Sequence, residues 1–236
     1  MRGKNEIRIT PVTDLATSPT RCLVVLSGGA DSAICLHWAL LRFEVAEALT
    51  FDYGQRHRNE ITCARRIAMR LGVPHRVLPI NSFAALGGNS LVDTDLPVRS
   101  QEAGQLPNTF VPGRNLIFIT LAAARAYGLG VRDLVTGVCQ TDYSGYPDCR
   151  ATTMQALEKT LGLGMDAEFR IHTPLMQLTK AESVRLAYAI GAFPSLALSL
   201  TCYEGRQPAC GICPSCVLRA KGFAEAGLPD PLLATS

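Results

Sequence analysis

The residues CLVVLSGGADSAICLHWALLRF, at positions 22–43, read as a complete strand, turn and helix. The opening run CLVVL is continuously apolar, which is typical of a buried parallel strand. The closing part, from the aspartate onward, places apolar side chains at helical spacing. Between them lie Gly28 and Gly29, flanked by Ser27 and Ser32. A turn needs only one glycine, so this pair indicates that a ligand approaches the backbone here.

Strand-like and helix-like segments alternate along the rest of the chain. The predicted strands cover residues 22–26, 45–51, 74–80, 132–138 and 169–175. The predicted helices cover residues 31–43, 59–72, 115–130, 152–164 and 179–191. This alternation predicts an α/β fold, a five-stranded parallel doubly wound sheet of Rossmann-like type with helices on both faces. Ligands of such sheets bind outside the carboxyl ends of the strands, so the residues after each strand should converge.

The glycine loop is predicted to bind the phosphate groups of a nucleotide. The N–H groups at a helix start are unpaired and carry the positive end of the helix dipole, and glycine leaves room for an anion beside them. Asp31 would repel a phosphate unless a divalent cation lay between them, so we assign it to Mg²⁺. The predicted nucleotide-binding residues are Leu26, Ser27, Gly28, Gly29, Ala30, Asp31, Ser32 and Ala33. The loop does not match the Walker motif, and the alternative is a glycine-rich turn without a ligand.

Four of the nine cysteines crowd into residues 202–216. They are Cys202, Cys210, Cys213 and Cys216, with the spacing C-x7-C-x2-C-x2-C. Four thiolates so close together suit a tetrahedral site, so we predict one structural Zn²⁺ per chain. An iron–sulfur cluster is the main alternative, although the bacterial ferredoxin motif places its fourth cysteine downstream of the other three.

Composition and charge exclude other classes. A chain of 236 residues that is 47% hydrophobic and 18% charged can form one large domain. No apolar run reaches the ~20 residues of a membrane helix, and the first 20 residues have no apolar core, so we expect a cytoplasmic protein. A net charge of +3 with scattered basic residues does not favour nucleic-acid binding. We expect a mobile tail over 1–20, an ATP pyrophosphatase domain over 21–195 and a zinc-binding segment over 196–236 packed on that domain.

Several stretches resemble a known family. SGGADS is similar to the pyrophosphate loop of the N-type ATP pyrophosphatases, which cut ATP between its α and β phosphates. With that loop and the cysteines, four further stretches resemble the 7-cyano-7-deazaguanine synthase family over about residues 22–223. They are FDYGQRHRNEI (51–61), PNTFVPGRN (107–115), TGVCQTDYSGYPDCR (136–150) and TPLMQLTKAE (173–182). The resemblance implies an adenine nucleotide alpha hydrolase-like fold and a homodimer.

The resemblance also implies a reaction in the pathway to queuosine. In it, 7-carboxy-7-deazaguanine and ammonia become the nitrile 7-cyano-7-deazaguanine, with ATP, Mg²⁺ and a structural zinc. We expect the acid to be adenylated, converted to an amide and adenylated again, with free ammonia as the nitrogen source. The chain carries Ala30 where many members have Gln and Ala33 where Thr is common, so a side-chain contact to ATP would be missing.

The family resemblance, matched position by position, gives four catalytic candidates: Asp31, Ser32, Lys180 and Arg114. A lysine at a helix start opposes the dipole, so Lys180 indicates a phosphate ligand, and its alternative is a solvent-exposed lysine. Arg114 follows VPG and could face a phosphate or carboxylate, or form a surface ion pair instead.

A guanine-like base offers adjacent N–H donors to carboxylates and a flat face to aromatic rings. The substrate-binding candidates are Asp52, Tyr53, Asn115, Asp142, Tyr143, Tyr146 and Asp148. Glu60 is a further candidate carboxylate, and His57 has no assigned role. The alternative for each tyrosine is ordinary packing.

Two other functions stay open on the sequence. Related loop enzymes modify tRNA, which needs a strongly basic surface. A non-catalytic nucleotide-binding or zinc-binding module would bind ATP without releasing pyrophosphate. Residues 88–113 lack periodicity and contain three prolines, so we predict a lid over the site.

Overall fold

The computed structural model describes residues 20–86, 89–93, 95–98, 106–141 and 145–233. These ranges contain one sheet of five parallel strands in the order β3-β2-β1-β4-β5. The strands are β1 (Arg21–Val25), β2 (Glu44–Asp52), β3 (His75–Pro79), β4 (Asp133–Val135) and β5 (Arg170–His172). The predicted fold class is therefore confirmed.

The helices lie between and after the strands. They are α1 (Ala30–Leu40), α2 (Asn59–Arg70), α3 (Ser82–Leu86), α4 (Arg114–Gly128), α5 (Ala151–Met165), α6 (Lys180–Ala189), α7 (Phe193–Leu196) and α8 (Pro214–Ala226), with a short 3₁₀ helix at Pro147–Cys149. Within the described ranges, no helix is both long enough and apolar enough to cross a bilayer.

The two faces of the sheet are buried by different helices, as the alternation of β1 shows. Cys22 and Val24 point into a core formed with α1, α2, α6, α7 and α8. Leu23 points into the opposite core, formed with α3, α4 and α5. All three side chains have no exposed surface, because consecutive residues of a strand point to opposite faces and helices cover both.

Two strands are shorter than predicted because the chain leaves the sheet early. The strand predicted over 132–138 ends at Val135, and a Cβ on Gly137 would lie only 3.0 Å from the backbone of α1. The strand predicted over 169–175 ends at His172, where a turn closes with the Met176 amide donating to the Thr173 carbonyl. Both segments lie at the edge of the sheet where the strands have their carboxyl ends. We call this edge the carboxyl rim.

Helix boundaries follow local signals more closely. Thr179 caps α6 with the predicted capping box, since its hydroxyl accepts from the Glu182 amide while the Glu182 carboxylate accepts from the Thr179 amide. The end of α2 is followed by Gly72 at a φ of +66°, a conformation that glycine adopts without strain.

The C-terminal helix is tied to the rest of the chain by a buried arginine. Arg219 donates to both carboxylate oxygens of Asp230 at 2.7 and 2.8 Å, to the Ser199 hydroxyl and to the Leu196 carbonyl. This network fixes α8 against the chain that follows α7. The predicted boundary at residue 196 stays a prediction, and residues 1–19 of the predicted tail lie outside the described residues.

The Arg219–Asp230 pair gives a stability prediction. Both side chains are less than 10% exposed, so Asp230→Ala leaves an uncompensated buried charge and should lower the free energy of unfolding by about 3–5 kcal/mol. The matched control is Glu225→Ala, which removes the exposed partner of Lys221 at 3.7 Å and should cost less than about 1 kcal/mol. Urea denaturation of the two variants measures both values, and equal losses would contradict the prediction.

Candidate active site

The loop after β1 is shaped by one hydroxyl. Ser32 Oγ accepts from the amides of Ser27 and Gly28 at 3.1 and 3.3 Å and donates to the Gly29 carbonyl at 3.0 Å. Ser32 is buried, and the Ser27 hydroxyl accepts in turn from the Gly29 amide. In this structure both hydroxyls therefore hold the loop itself, whereas the sequence assigned them to phosphate.

The two glycines of the loop have different structural reasons. A Cβ on Gly28 would lie 2.0 Å from the Glu60 carbonyl oxygen of α2, and Gly28 has a φ of +96°. A Cβ on Gly29 would meet no atom of another residue closer than the Ser27 hydroxyl at 3.4 Å. Gly28 thus lets α2 pack on the loop, while a Cβ on Gly29 would make only ordinary van der Waals contacts with Ser27, Leu200 and Glu60.

The start of α1 supplies unpaired amides at the carboxyl rim. The Ala33 amide makes the first intrahelical bond, to the Gly29 carbonyl at 3.1 Å. The amides of Ala30, Asp31 and Ser32 therefore have no acceptor within the helix. Ala30 and Asp31 line a cavity of about 470 Å³, together with residues of α6, α8 and the chain on either side of α4.

Two of the predicted nucleotide-binding residues are core residues in this structure. Leu26 and Ala33 have no exposed surface and pack in the core beneath α1. Only their backbones can contribute to a nucleotide site. Ala30 is half-buried at the cavity wall, so a longer side chain at this position would reach into the cavity.

Asp31 and Lys180 form an ion pair at the mouth of the loop. Lys180 Nζ lies 2.9 Å from Oδ1 and 2.8 Å from Oδ2 of Asp31, and the Lys180 side chain is 15% exposed. Lys180 is therefore not a solvent-exposed lysine. The sequence assigned the two groups to different ligands, and the structure brings them together from the first turns of α1 and α6.

A glycine of α8 makes room for this lysine. A Cβ on Gly222 would lie 2.4 Å from Cγ and 3.0 Å from Cβ of Lys180. The lysine stem thus passes over α8 at its glycine to reach Asp31. Nothing in the sequence pattern indicated this contact, because the two residues are distant along the chain.

Arg114 begins α4 and lies among tyrosines. Its Nη1 donates to the Tyr53 hydroxyl at 3.2 Å, and Tyr146 and Tyr203 lie close enough to interact with its charge. In the described part of the chain, no carboxylate oxygen lies within 4.0 Å of Arg114. Arg114 therefore forms no ion pair with a described residue, and this partly enclosed cation suits an anionic ligand.

The other candidate substrate residues already have protein partners. Asp52 accepts a hydrogen bond from Arg58 at 2.6 Å. The carboxylate of the buried Asp148 caps α4 by accepting from the Asn115 backbone amide at 3.0 Å. The Asn115 side chain donates to Cys149 Sγ at 3.2 Å. Tyr146 is buried, bonds Thr109 at 2.6 Å and packs on Phe110.

Several side chains that the sequence predicted to bind substrate therefore contact other protein groups in this structure. Tyr53 is also buried, with its ring against Phe83 and Phe118. The predicted contacts of Asp142 and Tyr143 lie outside the described residues.

A pair of side chains that the sequence did not place in catalysis lies behind the loop. His57 Nε2 is 3.4 Å from Glu60 Oε2, and the other carboxylate oxygen would be 3.9 Å from a Cβ on Gly29. Burial raises the pKa of Glu60 to about 8, against the opposing charge of Arg114. Burial also lowers the pKa of His57 to about 3, with Arg114 and Arg56 acting in the same direction. The i, i+3 spacing directly after β2 was the available sequence signal.

Parts of the predicted lid are held in place. The side chains of residues 89–91 are almost fully buried, and the Ser90 amide donates to the Asn108 carbonyl at 2.9 Å. Arg56 donates to the carbonyls of Asp93 and Leu96. Residues 88, 94 and 99–105 of the predicted lid lie outside the described residues, so the lid stays a prediction.

The four C-terminal cysteines converge on one point. Their sulfur atoms all lie within 4.8 Å of one another, and Cys210 and Cys216 are 3.9 Å apart. A single tetrahedral ion with metal–sulfur bonds of ~2.3 Å places its ligands ~3.8 Å apart. The arrangement therefore fits one metal ion held by Cys202, Cys210, Cys213 and Cys216.

The cysteine segment supports the start of α2, which carries Glu60, and the chain just before it. Asn59 Nδ2 donates to the Gly205 carbonyl at 2.8 Å, and Arg56 lies 3.5 Å from Glu204. A Cβ on Gly205 would lie 2.9 Å from His57 Cα, so the two chains touch through their backbones. The metal-binding segment is thus part of the wall of the site.

Sheet and loop together define a class. A doubly wound parallel sheet with Ser-Gly-Gly-x-Asp-Ser after its first strand is typical of ATP-binding proteins with a pyrophosphate loop, or PP-loop. The sequence profile of the queuosine biosynthesis protein QueC matches residues 21–227. The chain belongs to this QueC family.

Its relatives cover nearly the whole chain. The chain is 62% identical to the 7-cyano-7-deazaguanine synthase of Chromobacterium violaceum, over 92% of this chain and 94% of the relative. It is 59% identical to that of Laribacter hongkongensis, over 93% and 97%. Among solved structures it is similar to NMN synthetase from Francisella tularensis, with a TM-score of 0.48 and 15% identity over 92% of this chain and 78% of the other.

The different reasons for the two loop glycines give a paired prediction. Gly28→Ala places a Cβ against α2 at positive φ, so it should cost at least about 1–3 kcal/mol of stability. Gly29→Ala should cost less than about 1 kcal/mol, because its Cβ makes only ordinary contacts, but it should weaken ATP binding about tenfold or more, because the methyl group narrows the space beside the loop amides that we predict to bind phosphate. Thermal unfolding and calorimetric titration with ATP separate the two effects. Equal stability losses would show that the glycines are equivalent.

Proposed function

We propose that this enzyme uses ATP to convert 7-carboxy-7-deazaguanine and ammonia to 7-cyano-7-deazaguanine. The observation that carries the proposal is the Asp31–Lys180 pair at the start of α1, with Lys180 Nζ 2.8 and 2.9 Å from the two carboxylate oxygens. A carboxylate that would bind a cation and an ammonium group that would bind phosphate thus lie together beside unpaired backbone amides. The family membership and the names of its relatives support the substrate.

The first step would be adenylation of the acid. A carboxylate is a poor electrophile, because its charge repels nucleophiles and its oxygen leaves poorly. Attack of the carboxylate on the α phosphate of ATP removes that charge and releases pyrophosphate. The amides of Ala30, Asp31 and Ser32 and the dipole of α1 would stabilise the charge on the leaving pyrophosphate.

Asp31 and Lys180 would divide once ATP is bound. Asp31 would hold Mg²⁺, which neutralises charge on the phosphates when bound. Lys180 would turn from Asp31 to a phosphate oxygen, with its stem still guided over Gly222. Oxygen ligands of this kind suit Mg²⁺, so the carboxylate present fits the ion.

Arg114 would receive the carboxylate of the substrate. It is a partly enclosed cation whose described neighbours include tyrosines but no carboxylate within ion-pair distance, so an anion beside it would face little competition. Arginine binds a carboxylate through two parallel N–H donors, which would fix the acid for attack. Tyr146 and Tyr203 line the cavity near this cation and would bound the ring of the substrate.

The second half of the reaction would repeat the first at the same site. Ammonia displaces AMP from the adenylated acid and gives an amide. The amide oxygen is also a poor leaving group, so a second ATP would adenylate it before AMP is lost and the nitrile forms. Free ammonia would serve as the nitrogen donor.

The metal of the cysteine cluster would be zinc, one ion per chain, with a structural role. Four thiolates close all four tetrahedral positions and leave none for a substrate. The ion would fix residues 202–205 against the loop that carries His57 and Glu60. A homodimer and a cytoplasmic location also belong to this proposal, and light scattering on the purified protein tests the first.

The two-stage path predicts that synthetic amide is a substrate. Supplied with ATP and Mg²⁺ but no ammonium, the enzyme should convert the amide to the nitrile and release AMP and pyrophosphate. The acid under the same conditions should give no nitrile, because it lacks nitrogen. Mass spectrometry of the deazaguanine products and chromatography of the nucleotides measure both outcomes. An inert amide beside an active acid, or ADP as the nucleotide product, would exclude this path.

The zinc assignment has its own test. Purified protein should contain one zinc and no stoichiometric iron, and Cys213→Ser should lose the metal and unfold at least the C-terminal segment. The matched control is Cys63→Ala, which removes a buried thiol packed beside the cluster but should keep the zinc. Elemental analysis and circular dichroism report the two effects. A brown protein with iron would overturn the assignment.

A further inference from the structure

Glu60 has surroundings that the adenylation chemistry does not explain. Its side chain is 14% exposed, and one oxygen faces His57 while the other points toward Gly29 of the loop. The backbone of the same residue is pressed against Gly28, so the carboxylate is fixed relative to the loop. A carboxylate at this place would repel phosphate, and it needs a role that involves a proton donor.

The surroundings of His57 indicate which of its two ring nitrogens carries the hydrogen. Of the buried side-chain nitrogen and oxygen atoms in the described ranges, Nδ1 of His57 is the one without a hydrogen-bond partner. A buried N–H without an acceptor is rarer than a buried acceptor without a donor. The favoured tautomer therefore carries its hydrogen on Nε2, the ring nitrogen that lies 3.4 Å from Glu60 Oε2.

The reaction, as proposed above, releases protons from nitrogen at two points. Ammonium must lose a proton to attack the adenylated acid, and the adenylated amide must lose its N–H protons to become a nitrile. Neither Asp31 nor Lys180 suits this task, since one is assigned to Mg²⁺ and the other to phosphate. The loop therefore needs a separate base beside it.

We propose that Glu60 is the general base that removes these protons from nitrogen, and that His57 is the positioning residue that orients its carboxylate. In each transfer an O–H bond forms on Glu60, an N–H bond breaks, and the electron pair stays on nitrogen. In the first stage that pair attacks the acyl carbon and AMP leaves. In the second it forms the additional C–N bond as AMP leaves. No oxidant or reductant is required, and this inference rests on the proposed function.

The charges around Glu60 suit a base that works near neutral pH. Arg114 of α4 favours the ionised form, while burial opposes it, and the pKa is about 8. The other titratable groups that face it are His57 beside it, Cys63 of α2, Tyr53 after β2 and Tyr203 of the cysteine segment. The base is active when deprotonated, so the nitrogen-dependent rates should rise with pH up to about 8.

The decisive variant is Glu60→Gln, which keeps the shape of the side chain but removes its basicity. Pyrophosphate exchange into ATP, driven by the acid without ammonium, should be unchanged because no nitrogen is involved. Single-turnover conversion of acid to amide and of amide to nitrile should both fall ~10²–10⁴-fold, and the conversion of amide to nitrile should lose its rise with pH. Higher pH should partly restore the first conversion, since more ammonia is then unprotonated.

Matched variants separate chemistry from folding. Glu44→Gln removes an exposed carboxylate at the opposite end of β2, paired with Arg21 at 3.6 Å, and should leave every rate unchanged. His57→Leu should shift the rise in rate to higher pH, because the ionised form of Glu60 loses a donor, and His57→Gln should reverse that shift. A purely structural role of His57 would change stability without moving the pH profile.

The outcomes are distinguishable. If the wild-type protein catalyses both pyrophosphate exchange and nitrile formation, and the Glu60→Gln variant does so at the same rates, this inference alone is overturned. Loss of exchange in Glu60→Gln would also overturn it, since Glu60 would then serve ATP, the cation or the fold. A wild-type protein inactive on both acid and amide would overturn the proposed function and this inference together.

Discussion

The packing of α2 against the backbone of Gly28 constrains the whole carboxyl rim. Because the Glu60 carbonyl lies where a Cβ on Gly28 would be, only glycine allows this approach. The contact fixes the loop from one side, and Gly137 allows the backbone at the end of β4 to fix the start of α1 from the other. The unpaired amides of α1 are therefore held rigidly. Such rigidity is needed in a site that stabilises developing charge without reorganising.

The cysteine segment extends this constraint beyond the sheet. Residues 202–205 contact the segment between β2 and α2 through Asn59, Arg56 and His57. The cysteine cluster is therefore connected to the chain at the start of α2 by two side-chain contacts and one close approach of backbones. Loss of the metal would be expected to disturb His57 and Glu60 as well as α8. A site described as structural can in this way determine the precision of the chemistry.

The charged groups at the site are one ion pair, one carboxylate beside a neutral histidine and one arginine with no described carboxylate nearby. Asp31 is paired with Lys180, and Glu60 faces a neutral His57. Arg114 is the cation that the described carboxylates leave without an ion-pair partner. The proposed function uses this pattern, since it assigns the phosphates to the start of α1 and the substrate carboxylate to the start of α4. The pattern follows from which helices begin at the rim, since Asp31, Arg114 and Lys180 lie in the first turns of α1, α4 and α6.

The sequence by itself determined the order and type of the main elements, the phosphate loop and the four cysteines. Those features are local, since apolar period, capping residues and ligand spacing are each contained in a short stretch of chain. The ends of β4 and β5, the separate reasons for Gly28 and Gly29, the Lys180 passage over Gly222 and the Glu60–His57 pair were decided by tertiary structure alone. Each depends on a contact between segments brought together only by folding, and a close approach or a buried charge leaves no periodic signal along the chain. Side chains such as Asp148 and Tyr146 were placed in the substrate site because they follow a strand, but packing gave them protein partners.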